Sequence, residues 1–346
     1  MKKLLSILIA LTSVSIVSMA QNANIDLKTL QLPEYTYASR VHDPVMIKQG
    51  DTYYMFTTGH GVSIQTSKDM VNWESGGSVF SKETLPKWHK SFIPEQDGHL
   101  WAPDIFFHNG KYYLYYSVSA WMNFDSSIGL ATNTTLDPSS PDYKWVDCGV
   151  VVSHKNHVER VNVIDPNVII DTDNRMWLFY GSYQKGLRAV ELDPTTGKMM
   201  NENNPEIHVI TNRLGEGVFI VKSEGYYYLF ASEGRCCAGN ESTYHVVVGY
   251  SENIEGPYLS KTGGRLLDGE STMFLKGDYE QPGRGHNGFI LENGELKIVY
   301  HAYTRVAEGA SLLGIRTVYQ DEDGWPTLEN TGKLLPVENI NLKVME

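Results

Sequence analysis

The stretch RVHDPVMIKQGDTYYMFTTG, residues 40–59, places two ionisable residues, His42 and Asp43, directly before Pro44 and a run of strand-forming residues. A short Gly-Asp turn then separates this run from a second one, rich in tyrosine, phenylalanine and threonine. Two such runs joined by a turn predict a pair of antiparallel β-strands. The stretch is therefore a unit made of a polar leader, a strand, a turn and a second strand.

The same plan returns four more times along the chain, with leaders about 50 to 70 residues apart. The leaders are Asp43, Asp104, Asp165, Glu216 and His286, in residues 40–59, 101–117, 163–182, 215–232 and 283–301. A further alternating strand pair follows each copy. Four short strands per unit, repeated five times without helical periodicity, predict an all-β fold, a five-bladed β-propeller. A β-sandwich or a two-domain β protein is the alternative, but neither explains a polar leader in every copy.

The five leaders are expected to meet. In a propeller the first strand of each blade lies against the central axis, so leaders in register would converge on one volume. Crowded carboxylates in a partly dry cleft drive each other's pKa values apart, as glycoside hydrolysis requires of its acid and base. Such a cluster could equally hold a hard cation such as calcium. The leaders therefore predict a functional site on the axis, and both interpretations stay open.

Residues 1–20, MKKLLSILIALTSVSIVSMA, have two lysines, an apolar segment and small residues up to Ala20. This layout predicts a secretory signal peptide. The remaining residues, 21–346, are then expected to form a single propeller catalytic domain that is exported to the periplasm, the cell surface or the medium. No other segment approaches the roughly 20 apolar residues of a membrane-spanning helix, so no membrane insertion is expected.

Charge and cysteine content narrow the possible partners. The chain has 29 Lys and Arg against 41 Asp and Glu, a formal charge of -12. Such a surface repels phosphate backbones and anionic lipid, whereas a neutral substrate such as a sugar fits it. Cys148, Cys236 and Cys237 are too few for a disulfide scaffold. The neighbours Cys236 and Cys237 could form a vicinal disulfide or remain two thiols, and the sequence leaves both open.

Several motifs together resemble a known enzyme family. They run in order from about residue 41 to residue 326: VHDPV, TSKDMVNWE, WAPDI, IDPNVIID, GSYQKGLRAVELDPTTGK, EGVFIVKSEGYYYLF, CCAGNESTYHVVVGYSENIEGPY, GHNGF and DEDGWP. In order and spacing the chain resembles glycoside hydrolase family 43, and within it the α-1,5-L-arabinanases. The resemblance covers nearly all of the chain after residue 20.

The resemblance implies a role for each of four leaders. Asp43 would be the general base that activates water, Glu216 the general acid, and Asp165 the third carboxylate that raises the pKa of the acid and orients it. Reaction with inversion would place base and acid roughly 6.5–9.5 Å apart. The resemblance also implies that His286 ligates one metal ion, calcium with water in the other positions, and that no organic cofactor is needed.

The substrate is expected to be arabinan or its oligosaccharides, cut preferentially in endo mode, with exo cutting left open. Alternatives are an exo-acting arabinofuranosidase or β-xylosidase of the same family, and a carbohydrate-binding propeller without catalysis. A monomer is expected because a closed ring leaves only short strand edges. The candidate substrate-binding residues are the remaining leader Asp104, the flat aromatic faces of Trp101 and Trp121, and Asn162, Ser182 and Tyr183, which match subsite positions of the family.

Overall fold

This computed structural model of the protein describes residues 25–213 and 215–338. The predicted signal peptide, residues 1–20, lies outside the described residues. Five antiparallel sheets follow one another along the chain. The first strands of neighbouring sheets contact one another in a closed cycle, from the first sheet to the fifth and back to the first. The predicted five-bladed β-propeller is confirmed.

The strands are numbered in chain order. Ahead of the first blade lies β1 (Thr36–Arg40). The first blade contains β2 (Val45–Gln49), β3 (Thr52–Thr57), β5 (Ser63–Ser67) and β6 (Glu74–Ser78). The short β4 (Gly59–His60) lies between β3 and β5 in the chain. The second blade contains β7 (His99–His108), β8 (Lys111–Val118), β9 (Ser127–Asn133) and β10 (Val146–Ser153). The third contains β11 (Asn167–Ile170), β12 (Met176–Ser182), β13 (Gly186–Leu192) and β14 (Ile207–Val209).

The fourth blade contains β15 (Glu216–Ser223), β16 (Tyr226–Glu233), β17 (His245–Ser251) and β18 (Thr272–Leu275). The fifth contains β19 (Gly283–Glu292), β20 (Glu295–Thr304) and β21 (Ala310–Thr317), and a small hairpin follows it, β22 (Tyr319–Gln320) and β23 (Pro326–Thr327). Helical structure is limited to α1 (His89–Phe92) and five 3-10 turns, at Leu27–Thr29, His154–Asn156, Gly239–Glu241, Leu266–Asp268 and Arg305–Ala307, among the described residues.

The ring closes between the two ends of the described chain. Strand β1 pairs with β21, so the fifth blade takes its outermost strand from the segment ahead of the first blade. Strand β4 pairs with β7 and ties the first blade to the second. Within the described residues, no helix is long and apolar enough to cross a bilayer.

Apolar side chains fill the spaces between blades. Each of five buried clusters combines residues of two neighbouring blades, including Phe56 with Leu114, Tyr115 with Val168, and Phe230 with Phe289. The remaining two clusters join the third blade to the fourth and the fifth to the first. Burial on both faces explains why the strands are apolar nearly throughout. The polar leaders do not belong to these apolar clusters.

Candidate active site

Each innermost strand has a residue in the left-handed backbone region within or just ahead of its first four residues. The values of φ lie between 37° and 59° at these five positions, which are Asp43, Ala102, Asp165, Gly217 and His286. In the second, fourth and fifth blades a bulge interrupts the strand pairing at the same place. A bulge redirects the side chains next to it. Here it turns the start of the strand toward the axis, so these five positions are structurally equivalent.

The expectation that all five leaders are in register is wrong for two of them. Asp43, Asp165 and His286 are equivalent, but Glu216 comes one residue before the bulge position and Asp104 comes two residues after it. Glu216 nevertheless lies beside the same group of residues, because the backbone N–H of the next residue, Gly217, donates to Asp165 Oδ2 at 3.0 Å. The sequence repeat did not show the offset because the strands next to the leaders are apolar nearly throughout, and such a pattern does not fix the register to a single residue.

Asp104 lies deeper along β7, where it is 4% exposed. Its Oδ2 accepts hydrogen bonds from the backbone N–H of Val168 at 2.7 Å and from the side-chain amide of Asn167 at 3.2 Å. Burial raises the pKa of Asp104 to about 7, although these hydrogen bonds oppose the shift. Asp104 thus links the innermost strands of the second and third blades. Its role in substrate binding stays a prediction.

Asp43 is surrounded by polar groups. Thr58 donates its hydroxyl to Asp43 Oδ2 at 2.5 Å, while Asp43 Oδ1 lies 3.2 Å from Nδ1 of His286 and 3.6 Å from Nδ1 of His301. His42 Nδ1 forms an ion pair with Asp43 Oδ2 at 2.9 Å. Burial alone would raise the pKa of Asp43, but the charge of His42 and the hydrogen bond from His42 oppose burial, and the pKa is held far below its usual range. Asp43 therefore favours the ionised state.

His42 is fixed from both sides. Its ring stacks on that of His301, with centroids 4.1 Å apart, and Nε2 lies 2.9 Å from the hydroxyl of Tyr303. Burial lowers the pKa of His42, but the charge of Asp43 outweighs it and raises the pKa well above the usual value. Burial holds the pKa of His301 well below the usual value. The protonated ring is thus the one that faces the carboxylate.

Asp165 and Glu216 favour the protonated state. Burial, followed by the charge of Glu216, raises the pKa of Asp165 well above its usual value. Its Oδ2 accepts the backbone N–H of Gly217 at 3.0 Å, so it is held beside the start of β15. Burial also raises the pKa of Glu216, against the hydrogen bonds that Tyr244 and Ser182 donate to it at 2.8 and 2.9 Å.

His286 faces the same carboxylates. Its Nδ1 lies 3.2 Å from Asp43 Oδ1 and 4.0 Å from Asp165 Oδ2, and its backbone N–H donates to Ser232 Oγ at 2.9 Å. Burial lowers the pKa of His286, which favours a neutral imidazole able to bind a metal. Among the described residues, the two groups of three potential ligand side chains do not include His286. The binding of a metal ion by His286 stays a prediction.

The predicted sugar-binding residues differ in exposure and in hydrogen-bond partners. Ser182 is buried and donates to Glu216, whereas the neighbouring Tyr183 is 63% exposed and lines a cavity of about 100 Å³ together with Glu216. Trp121 is 64% exposed on the segment between β8 and β9. Trp101 is half-buried at the start of β7 and donates its indole N–H to His99 Nδ1 at 3.0 Å.

Asn162 is buried, and its side-chain oxygen has no hydrogen-bond partner in the described structure. A sugar hydroxyl is a donor of the kind that this oxygen lacks.

Sequence reasoning did not assign a role to Thr58, His301, Tyr303 or Tyr244. The ends of strands other than the innermost ones carry these residues to the site: Thr58 follows β3, His301 and Tyr303 lie within the last four residues of β20, and Tyr244 precedes β17. The signal was present in part, because His301 directly follows the apolar run KIVY and Tyr244 lies in the quoted motif CCAGNESTYHVVVGY.

The arrangement unites an ionised carboxylate, Asp43, and a carboxyl group that favours protonation, Glu216, around one volume on the axis. Two carboxyl groups with pKa values driven apart by their surroundings can act as base and acid in the same reaction. Glycosidic bond hydrolysis requires such a pair. The third carboxyl group, that of Asp165, contacts both His286 and the backbone N–H of Gly217, the residue after Glu216.

Comparison with known proteins agrees with this arrangement. The family model for glycosyl hydrolases family 43 matches residues 36–326. The extracellular exo-α-(1→5)-L-arabinofuranosidase ArbA of Cellvibrio japonicus is 40% identical over 301 residues, which are 84% of this chain and 86% of that protein. The extracellular endo-α-(1→5)-L-arabinanase 1 of Bacillus subtilis is 35% identical over 296 residues, 83% of this chain and 87% of that protein.

A solved structure of the α-L-arabinanase of Cellvibrio cellulosa in complex with arabinohexaose matches with a TM-score of 0.80 and 38% identity, covering 86% of this chain and 98% of that one. The match to the family model spans the five blades and the carboxylates on the axis. The chain therefore belongs to glycosyl hydrolases family 43.

Proposed function

We propose that the protein is an inverting glycoside hydrolase that cleaves α-1,5-L-arabinofuranosidic bonds in arabinan. The observation that carries this proposal is the opposite protonation preference of Asp43 and Glu216 in one buried volume. The sugar and the linkage follow from the relatives, which are named for α-(1→5)-L-arabinofuranosidase and arabinanase activity. The endo mode is the one we expect, and exo cleavage is the alternative, because matching relatives include both.

In the proposed mechanism Asp43 accepts a proton from the attacking water. Its ionised state is maintained by His42 and by the hydroxyl of Thr58. Glu216 donates its proton to the departing glycosidic oxygen while Tyr244 and Ser182 hold its carboxyl group in place. Asp165 would orient this acid through the backbone of Gly217, which follows Glu216 directly.

Calcium is part of the proposal. His286 would hold one ion, with water in the remaining positions, and the nearby Asp43 and Asp165 make the surroundings negative. A bound ion would supply positive charge beside these carboxylates. We expect treatment with a calcium chelator to lower the unfolding temperature and the hydrolysis rate, and added Ca²⁺ to restore both. Chelator-treated, metal-free protein with unchanged values would contradict this role.

Export is also proposed, since residues 1–20 have the pattern of a signal peptide and both curated relatives quoted above are named extracellular. Expression of the full chain in a secreting host should give a mature protein that begins at residue 21. The propeller is further proposed to be monomeric, which light scattering of the purified protein tests directly.

The activity is tested on linear debranched arabinan, with products separated by size during the first minutes. Wild-type protein should release oligosaccharides of several lengths in endo mode, or one product of fixed length in exo mode. Asp43→Ala and Glu216→Ala should each lower the rate by roughly 10²–10⁴-fold, the usual contribution of general acid–base catalysis. Variants that are folded by circular dichroism and keep near-normal rates would contradict the assignment.

Activity on short aryl glycosides without activity on the polymer would favour an arabinofuranosidase or β-xylosidase. Binding of arabinan without turnover by the wild-type protein would favour a non-catalytic propeller.

A further inference from the structure

Cys236 and Cys237 lie in the segment between β16 and β17, beside the carboxylates of the site. Their sulfur atoms are 2.8 Å apart, and each sulfur atom is 3.8 Å from Nε2 of His42. The hydroxyl of Tyr303 lies 3.4 Å from the Cys236 sulfur and accepts the backbone N–H of Cys237 at 2.9 Å. Cys237 is exposed and Cys236 is half-buried, so a reagent in solution can reach the pair.

We propose that Cys236 and Cys237 are a redox modification site: they close a vicinal disulfide under oxidising conditions, and the state of the pair is transmitted through His42 to Asp43. The sulfur atoms need to approach by less than about 1 Å to reach the disulfide bond length of about 2.05 Å. The backbone of Cys237 has φ of 57°, a conformation rare for residues other than glycine. Such conformations are concentrated at functional positions.

The bond is expected to be reducible as well as easily formed. Neighbouring Cα atoms are about 3.8 Å apart, closer than the roughly 4.4–6.8 Å of most disulfides. Ring closure between adjacent residues therefore strains the bond, and strained, accessible disulfides are the labile ones. The pair can thus respond to the redox conditions that the protein meets.

The chemistry balances with a low-molecular-weight disulfide as the oxidant. The Cys237 thiolate attacks one sulfur of the oxidant, forms a mixed disulfide and releases one thiolate, which takes up a proton. The Cys236 thiol then loses its proton, attacks the Cys237 sulfur and releases the second thiol. Two cysteines lose two electrons in total, and the oxidant is reduced to two thiols. The hydrogen bond with Cys236 lowers the pKa of the Cys237 thiol to about 5, which suits it to attack first.

His42 connects the pair to the proposed general base, and this part of the inference rests on the proposed function. Its Nδ1 lies 2.9 Å from Asp43 Oδ2, while Nε2 faces both sulfur atoms and the hydroxyl of Tyr303. Free thiols compete with the hydroxyl of Tyr303 for the hydrogen bond at Nε2 of His42. A closed disulfide has neither an S–H group nor a negative sulfur, so Nε2 keeps Tyr303 as its partner and the ring stays aligned with Asp43.

The covalent step is tested in full-length protein carrying Cys148→Ser, so that the pair supplies the remaining thiols. Cys148 lies on β10, where its sulfur contacts the hydroxyl of Thr132. After treatment with oxidised glutathione, denaturation and iodoacetamide, mass spectrometry should find neither Cys236 nor Cys237 alkylated. After dithiothreitol it should find both alkylated. Two alkylated cysteines, or a stable glutathione adduct, after oxidation would overturn the proposal.

The coupling to the site is tested by hydrolysis of linear arabinan. We expect kcat/KM of the oxidised protein to exceed that of the reduced protein by about threefold or more, and Cys237→Ser to show no difference between the two treatments. Equal rates in the two states, with the closed bond proved by mass, would overturn the coupling. A closed bond with no hydrolysis in either state would contradict the proposed function and would still support the redox site.

Discussion

At the scale of single residues, the two hydrogen bonds on Glu216 decide how its proton is held. Tyr244 and Ser182 both donate to this carboxyl group, and donation stabilises the ionised form. Burial acts in the opposite direction and is the larger effect, so the pKa of Glu216 is raised. The proposed acid is thus buried enough to keep its proton and is also fixed in orientation by two hydroxyl groups.

Tyr244→Phe is predicted to extend activity to higher pH. Loss of the phenol removes a stabilising contact of the ionised carboxylate, so the pKa of Glu216 rises and the proton is kept longer as pH increases. The alkaline limb of the kcat/KM profile on arabinan should therefore move upward, while kcat falls because the acid is held less firmly. Tyr258→Phe is a matched control, since Tyr258 is buried and donates to the carbonyl of Ile254 away from the site. A limb that does not move in Tyr244→Phe would contradict a catalytic acid at Glu216.

At the scale of elements, the start of each innermost strand determines where the side chains of the site point. Gly217, the second residue of β15, has φ of 58°, and a Cβ atom there would lie 3.0 Å from Nδ1 of His286. Glycine adopts this backbone without strain, and its lack of a side chain leaves the space that His286 occupies.

Gly217→Ala is predicted to displace His286 and to lower kcat by at least about tenfold. Gly225→Ala is the matched control, because Gly225 also has a positive φ, 84°, but a Cβ atom there meets nothing within 4 Å. Both variants carry a left-handed alanine, which costs about 1–2 kcal/mol, so their unfolding free energies should fall by similar amounts. Equal turnover in the two variants would show that the position of His286 does not matter for catalysis.

Contacts between innermost strands are polar, and Asp104 is the clearest case. The carboxyl group of Asp104 has a pKa raised to about 7, because it is buried. The folded state therefore keeps a proton that the unfolded chain releases near pH 4, and folding stability should fall as pH rises from about 4 to about 7.

Asp104→Asn is predicted to remove this part of the pH dependence, because an amide does not titrate and its oxygen can still accept from Val168. Urea unfolding at pH 4.5 and pH 7.5 measures the difference. If the unfolding free energy falls equally in wild type and variant between these two pH values, Asp104 is already ionised in the folded state at the lower pH.

At the scale of the whole molecule, ring closure places residues from both ends of the chain in one site. The backbone N–H of Asp43 donates to Nδ1 of His301, although 258 residues separate them. Closure depends on β1, which pairs with β21 and completes the fifth blade. The geometry around Asp43 therefore depends on a strand that contributes no catalytic side chain.

A chain that begins at residue 41 lacks β1 and is predicted to unfold about 5 °C or more below a chain that begins at residue 25. The unpaired edge of β21 is also expected to cause association at high concentration. Thermal unfolding followed by circular dichroism, together with light scattering, measures both effects. Equal unfolding temperatures would mean that the other four blades and the apolar clusters hold the ring without this strand.

The sequence was sufficient for the fold because each blade repeats a polar leader and apolar strands, and the number of repeats equals the number of blades. It was also sufficient to bring Asp43, Asp165, Glu216 and His286 to one place. It was not sufficient for the offset of Asp104, since strands that are apolar nearly throughout do not fix the register to a single residue. The positions of His301 beside Asp43 and of Tyr303 beside His42 arise only when the ring closes, so the strand pattern alone does not predict these contacts.

The most direct test of the proposed mechanism is the anomeric configuration of the first sugar released from linear arabinan, followed by proton NMR from the start of the reaction. With Asp43 as base and Glu216 as acid, water attacks the face opposite the departing oxygen, and the α-linked substrate should first yield the β-anomer. The α-anomer as first product would contradict the mechanism, because it would require a covalent intermediate and hence a nucleophile in place of a base.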